Sequence, residues 1–300
     1  FGISVSNEPG SGPRRFTAPA VVDHHVHLGL VDWRALVGSP LGEVHDLGWD
    51  PSEIDRIGDE LAPDVRVRRV GPFHTAPGGY PSGRSWAPAA SIVAIESPDD
   101  ATRAVVAAAA RGAHGVKIAL NAAMPLLTDA ALRALIDGAH GAGLRALVHA
   151  EGPGQAERAI AAGADVLVHT PWTEALGEES LRRAAGSGMV WISTLAIHEG
   201  AALETALDNA RRYLALGGSM AYGTDMGNGD LPVGLNAREV QLLGRAGLTG
   251  AALHAALFSV DPRDADTLSH STPLPDTADA LAEWLATATR RSTTPTGESA

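Results

Sequence analysis

Between about residues 20 and 260 the chain alternates short apolar runs with longer, alanine-rich amphipathic stretches. The runs at 20–22, 43–45, 65–70, 115–118, 145–148, 165–168, 189–193 and 220–222 are short, often β-branched, and bounded by Gly, Asp or Pro. These are strand signals. The intervening segments 100–111, 129–142, 155–162, 178–187 and 199–216 space their apolar residues at helical intervals. Ser97-Pro98, Thr128-Asp129 and Thr249-Gly250 supply start signals, and Gly112, Gly143, Gly163, Gly188 and Gly217 supply stops. Eight strands alternating with helices predict a parallel (β/α)₈ barrel, with an open doubly wound sheet as the alternative. The barrel is expected over residues 18–290, after an N-terminal extension at 1–17. A disordered tail is expected at 291–300, which from Ser292 is Thr, Ser, Pro and Gly.

Composition narrows the chemistry. Three hundred residues, 45% apolar and 19% charged, are ordinary for a globular chain with a large core. A formal net charge of −12 argues against nucleic acid or an anionic membrane as partner. The expected partner is a small molecule; a homo-oligomer stays open. The lack of cysteine excludes disulfides, thiolate metal sites and a cysteine nucleophile. No apolar stretch reaches the length of about 18 residues needed to span a bilayer. Residues 1–15 are polar and unlike a signal peptide, which makes the cytoplasm the default expectation.

The first chemical signal is the run Val21, Val22, Asp23, His24, His25, Val26, His27. Alternate residues of a strand share a face, so His25 and His27 point together, with Asp23 on the same side. Two such imidazoles can grip a divalent metal, although chance clustering explains an isolated pair as well. Three further polar residues end apolar runs: His149 after 145–148, His169 after 165–168, and Asp225 after 221–224. Each alone fits a structural role. Together they match a barrel whose strand bodies pack and whose C-terminal strand ends react. Lys117, between Val116 and Ile118, would be costly to bury as a lone cation. It must be neutral, salt-paired, or carboxylated by CO₂ to an anionic carbamate that bridges two cations.

The order His-x-His, Lys, His, His, Asp resembles the binuclear enzymes of the amidohydrolase superfamily. The wording around Leu147-Val148-His149-Ala150-Glu151-Gly152, Val168-His169, Trp191-Ile192-Ser193-Thr194-Leu195 and Tyr222-Gly223-Thr224-Asp225-Met226-Gly227 is similar to its imidazolonepropionase-like and prolidase-like branch. So are Val44-His45-Asp46-Leu47-Gly48 and Gly71-Pro72-Phe73. The likeness covers about residues 18 to 258. It implies that His25, His27 and Asp225 hold a more buried metal and that His149 and His169 hold a more exposed one. A carboxylated Lys117 would bridge the two, and Asp225 would carry the proton from the attacking water to the leaving group. The implied cofactors are two divalent ions, zinc first, with iron, manganese or cobalt as substitutes, plus CO₂ for Lys117. The implied reaction is cleavage of an amide-like C–N bond in a small, cyclic or peptide-like substrate. Ester or lactone cleavage, or decarboxylation, cyclisation or dehydration at the same metals, are the alternatives. One departure stands out: the small β-sandwich usual in this superfamily is expected to be absent, because the segment after Val260 has no clear strand pattern.

Four more residues fall near the catalytic end and are candidates for substrate contact: His74, Tyr80, Trp172 and His198. His24 is expected to pack between barrel and helices, and His140, His254 and His270 to be structural. Gly78-Gly79 and Gly152-Pro153-Gly154 lack the spacing of a phosphate loop and read as turns. Ser193 lacks a nucleophile-elbow context.

Overall fold

The computed structural model describes residues 15–62, 64–258 and 267–291. Most of the predicted extension and the predicted disordered tail lie outside them. Thirteen strands occur among the described residues. They are β1 (Phe16–Pro19), β2 (Val21–Val26), β3 (Leu41–Asp46), β4 (Arg66–Arg69), β5 (Phe73–Thr75), β6 (Ile92–Ala94) and β7 (Gly115–Asn121), followed by β8 (Arg145–Glu151), β9 (Val166–Leu167), β10 (Val190–Ile192), β11 (Ser219–Ala221), β12 (Thr267–His270) and β13 (Thr289–Arg291). The helices are α1 (Pro51–Leu61), α2 (Pro98–Ala110), α3 (Asp129–Gly141), α4 (Gln155–Ala162), α5 (Glu178–Gly186), α6 (Gly200–Ala215), α7 (Ala237–Ala246), α8 (Gly250–Leu257) and α9 (Ala278–Thr287).

Two parallel sheets form the centre, one in the order β11-β10-β9-β8-β7-β5-β6 and one in the order β2-β3-β4. The third predicted strand is split. Gly71 adopts φ 79° and Pro72 lacks an N–H, so the ladder breaks between β4, which pairs with β3, and β5, which pairs with β7. Backbone hydrogen bonds join the sheets at both margins. On one side His24 N–H donates to Tyr222 O at 3.0 Å and Asp225 N–H to His25 O at 2.8 Å. On the other, His114 N–H donates to Arg69 O at 2.8 Å.

Strands of a parallel sheet are covered on both faces, and all seven residues of β7 are buried. The alternation splits the core. Ala146 and Val148 face the helices in the main cluster, whereas Leu147 joins Leu47, Val70, Val166, Val168 and Ile192 in a second cluster on the opposite face. Four helices, α1, α2, α3 and α7, start where a side chain supplies a missing backbone acceptor. Ser97 and Asp100 form a reciprocal capping box on α2, and Thr128 accepts from Ala131 N–H at the start of α3.

Two expectations are corrected. The region after Val260 does contain strands: β12 pairs antiparallel with β1 and β13, forming a three-stranded sheet from both ends of the described chain. Strands of three or four residues are too short to show a period in the sequence. No second sheet covers this one to make a sandwich among the described residues. Lys117 sits in the body of β7, four residues before its end, rather than at a strand terminus.

Packing between sheet and helices is tightest at Trp191 of β10. Its ring stacks on Tyr213 of α6 with centroids 3.9 Å apart and planes 8° from parallel. The Tyr213 hydroxyl in turn donates to Met189 O. Trp191→Ala would leave a cavity at this junction and is expected to cost about 3–5 kcal/mol. Urea unfolding followed by circular dichroism measures it; a loss under about 1 kcal/mol would show that the stack is dispensable.

Candidate metal centre

Five of the six expected ligands converge where β2, β7, the segment after β9 and the segment after β11 meet. His25 Nε2 stands 3.3 Å from His27 Nε2, 3.2 Å from Asp225 Oδ1 and 3.4 Å from Lys117 Nζ. His27 Nε2 is 3.4 Å from Asp225 Oδ1. Donor atoms of His25, His169 and Asp225 all lie within 4.8 Å of one another. His149 stands one step out. Its ring meets His169 edge-on with centroids 5.0 Å apart, and its Nε2 is 3.1 Å from Glu151 Oε2.

The other ring nitrogens fix what faces the centre. His25 Nδ1 lies 2.8 Å from Val168 O and His27 Nδ1 lies 3.0 Å from Gly48 O. A carbonyl only accepts, so each Nδ1 carries a hydrogen and each Nε2 faces the centre. His169 Nδ1 is held by Thr194 Oγ1 at 2.9 Å. Burial pushes the His25 and His169 pKa values well below normal. Burial alone would raise Asp225, but His25, His27 and His169 around it hold its carboxyl well below the usual range. The centre therefore gathers a carboxylate and inward-facing imidazole nitrogens at ligand distances from one another.

That donor set fits a divalent ion. At bonds of about 2.0–2.1 Å, tetrahedral ligand atoms stand about 3.3–3.4 Å apart, and the His25–His27–Asp225 triangle has edges of 3.2, 3.3 and 3.4 Å.

Support comes from residues behind the centre. Asp23, fully buried, accepts from His25 N–H at 3.0 Å and Thr224 N–H at 3.1 Å, and from the Thr224 hydroxyl at 2.6 Å. It thereby ties β2 to the segment that carries Asp225. Asp225 itself adopts φ 56°, a strained conformation for a residue other than Gly, and Asn228 Nδ2 donates to its Oδ2 at 2.8 Å. Asp46 of β3 accepts from Leu28 N–H and Gly48 N–H, holding the loop that fixes His27.

A cavity of about 370 Å³ opens onto the centre. Tyr80, Trp86, Phe73, Trp172 and His198 wall it, with Glu151 at its edge. Tyr80 stacks on His149 at 5.0 Å and Trp172 on His198 at 4.7 Å. His198 Nε2 is buried and has no hydrogen-bond partner, and burial lowers its pKa to about 4. Tyr80, Trp172 and His198 thus lie on the cavity. His74 does not: it is 1% exposed on the other face of β5, with Nδ1 2.9 Å from Lys117 O. The one-residue alternation of a strand turns it away from the cleft. Trp86 and Glu151 were not singled out from the sequence. Glu151 was legible as the residue two beyond His149 on the same strand face; Trp86 had no signal beyond being an aromatic in a Gly- and Pro-rich loop.

No protein-family model and no curated protein matches this chain by sequence. Solved structures do match. A Xaa-Pro dipeptidase with methionine bound in its active site superposes with a TM-score of 0.71 at 18% identity, covering 89% of this chain and 83% of that one. An amidohydrolase gives 0.69 at 20% identity, covering 88% and 82%. The ochratoxinase of A. niger gives 0.69 at 17% identity, covering 90% and 80%. The chain has the fold of these enzymes, as the resemblance in its motifs implied.

Burial lowers the Lys117 amine from 10.5 to about 7, against the opposing pull of Asp225 and Asp46. A large neutral fraction near pH 7 is what reaction with CO₂ requires. The unfolded chain keeps this proton up to pH 10.5 while the folded chain releases it near 7. Between those values the unfolded state binds more protons, so stability rises with pH. In metal-free, CO₂-free buffer we predict a rise between pH 7 and 9.5 of at most about 1.4 kcal/mol per unit. Lys117→Met should remove that slope and be the more stable protein at pH 7. Urea unfolding at both pH values checks this; equal slopes for the two proteins would contradict it.

Proposed function

We propose that this chain is a metal-dependent hydrolase of the amidohydrolase superfamily, in its prolidase-like branch, cleaving an amide-like C–N bond of a small substrate. The observation that carries the reading is the triangle of His25, His27 and Asp225 donor atoms, spaced as metal ligands and with both imidazole tautomers fixed by backbone carbonyls. The fold shared with a dipeptidase and an amidohydrolase supports it. We further read the two parallel sheets as one closed barrel, which the hydrogen bonds across both sheet margins support.

In this reading His25, His27 and Asp225 would hold one divalent ion, His149 and His169 would hold a second, and a carboxylated Lys117 would serve as a further ligand. When bound, the ions lower the pKa of water and polarise the substrate carbonyl. The rest falls to the chain. Asp225, ionised and beside the site of attack, accepts the proton of the attacking water and delivers it to the departing nitrogen. Asn228 orients the other carboxylate oxygen. His198, with its unpartnered Nε2, contacts a polar atom of the substrate, while Tyr80, Trp86 and Trp172 enclose its apolar part and exclude water.

Protein produced with zinc and bicarbonate should contain about two divalent ions per chain, as a two-metal site requires; metal analysis that finds none would refute the proposal. Asp225→Asn should lower turnover by about 10²–10⁴-fold. The assay is a panel of acyl amino acids, dipeptides, cyclic imides and lactones, and undiminished activity on any substrate of the wild type would remove Asp225 from the proton path. Product formed in ¹⁸O-water should carry the label. Unlabelled product would indicate non-hydrolytic chemistry.

A further inference from the structure

A second cavity, of about 590 Å³, opens at the other end of the strands. One wall is polar: His24 of β2, His45 of β3, His114 just ahead of β7, and Arg145, the first residue of β8. The remainder is largely apolar, with Leu147, Val166, Ile192, Met220 and Leu248 prominent. Along β8, Arg145, Leu147 and His149 share one face. At about 3.3 Å per residue, the cavity head and the metal centre stand about 13 Å apart along this strand. Between them lies the apolar cluster of Leu47, Val70, Leu147, Val166, Val168 and Ile192, every member of which is at most 3% exposed. The two cavities are separate sites.

The polar wall presents one guanidinium and three imidazole rings. Glu43 accepts from His45 Nε2 at 2.7 Å, Arg68 Nε at 2.8 Å and Arg66 at 3.1 Å, so one carboxylate already serves two guanidiniums. Arg145 has no ion-pair or hydrogen-bond partner among the described residues, and neither do the ring nitrogens of His24 and His114. The rings lie edge to face, His24 on His45 with centroids 4.6 Å apart and His45 on His114 at 4.9 Å. They do not converge as metal ligands: His25, His169 and Asp225 form the only such group found among the described residues. Free N–H donors and an unpaired guanidinium over an apolar chamber match an anion with an apolar body.

We propose that this cavity binds a small organic carboxylate with an apolar tail. Its head sits on Arg145, with His114 and His24 as further donors, and its tail runs along Leu147, Val166 and Ile192. This site is independent of the hydrolytic reading above, which concerns the opposite strand ends.

Decanoate titrated calorimetrically into the metal-loaded full chain tests the assignment, with decan-1-ol as the uncharged control. The expected result is saturable binding to one site per chain, at least about tenfold weaker for decan-1-ol, as loss of a charge-assisted contact entails. Arg145→Glu should weaken decanoate by at least about tenfold as well, through charge reversal. Ala252→Trp, which narrows the cavity without changing charge, should weaken decanoate and decan-1-ol alike. Circular dichroism and metal content verify that each variant is folded. Absence of saturable binding overturns the proposal. So does decanoate binding that both variants leave unchanged, which would place the carboxylate elsewhere, at the metals for example.

Discussion

Three donor atoms, His25 Nε2, His27 Nε2 and Asp225 Oδ1, are held within 3.4 Å of one another at the ends of two adjacent strands. Such crowding is unfavourable by itself, because a buried carboxylate and buried imidazoles lose their hydration. The surrounding structure enforces it. Val168 O and Gly48 O occupy the outer nitrogens of His25 and His27, so neither ring can flip to relieve the contact without losing a buried hydrogen bond. A divalent ion at the centre would offset this cost through coordination.

The enforcing residues come from distant parts of the chain, and buried acids join them. Asp23 binds Thr224 across 201 residues of sequence and fixes the segment that carries Asp225. Asp46 braces the loop after β2 from the neighbouring strand. Glu239, on α7 and fully buried, accepts from Leu195 and Ala196 N–H, fixing the turn after Thr194, whose hydroxyl meets His169. Burial raises both Asp23 and Glu239 to about 7. Removing either acid would leave two or more buried backbone donors unsatisfied, which is why a rigid centre needs them.

Parallel strands give the molecule two chemically distinct ends. One gathers the metal-centre histidines, Asp225 and an aromatic-walled cleft; the other gathers Arg145, His24, His45 and His114 above an apolar chamber. The apolar layer between them, built from alternate residues of the same strands, keeps the two sites physically apart. Polarity along a strand and alternation across it thus suffice to place different chemistry on one face of β8, with Arg145 and His149 four residues apart.

Much of this was legible in the chain alone. All eight predicted strands exist, because short apolar runs bounded by Gly, Asp and Pro are a local signal, and the polar residues that end them mark one edge of the sheet. Period two on β2 put His25 and His27 together without knowledge of their surroundings. The same period turns His74 away from the cleft, but that depended on which residue of β5 faced inward, and the break at Gly71-Pro72 obscured it. The short strands β12 and β13 left no period to read, so the terminal sheet was missed. Only the folded chain decided that Glu151 engages His149, that Trp86 walls the cleft, and that His24, His45 and His114 meet at the far end. Sequence fixes what each element presents on its faces, since that follows from local geometry. Which faces meet depends on contacts between residues a hundred or more positions apart, and no local pattern encodes those.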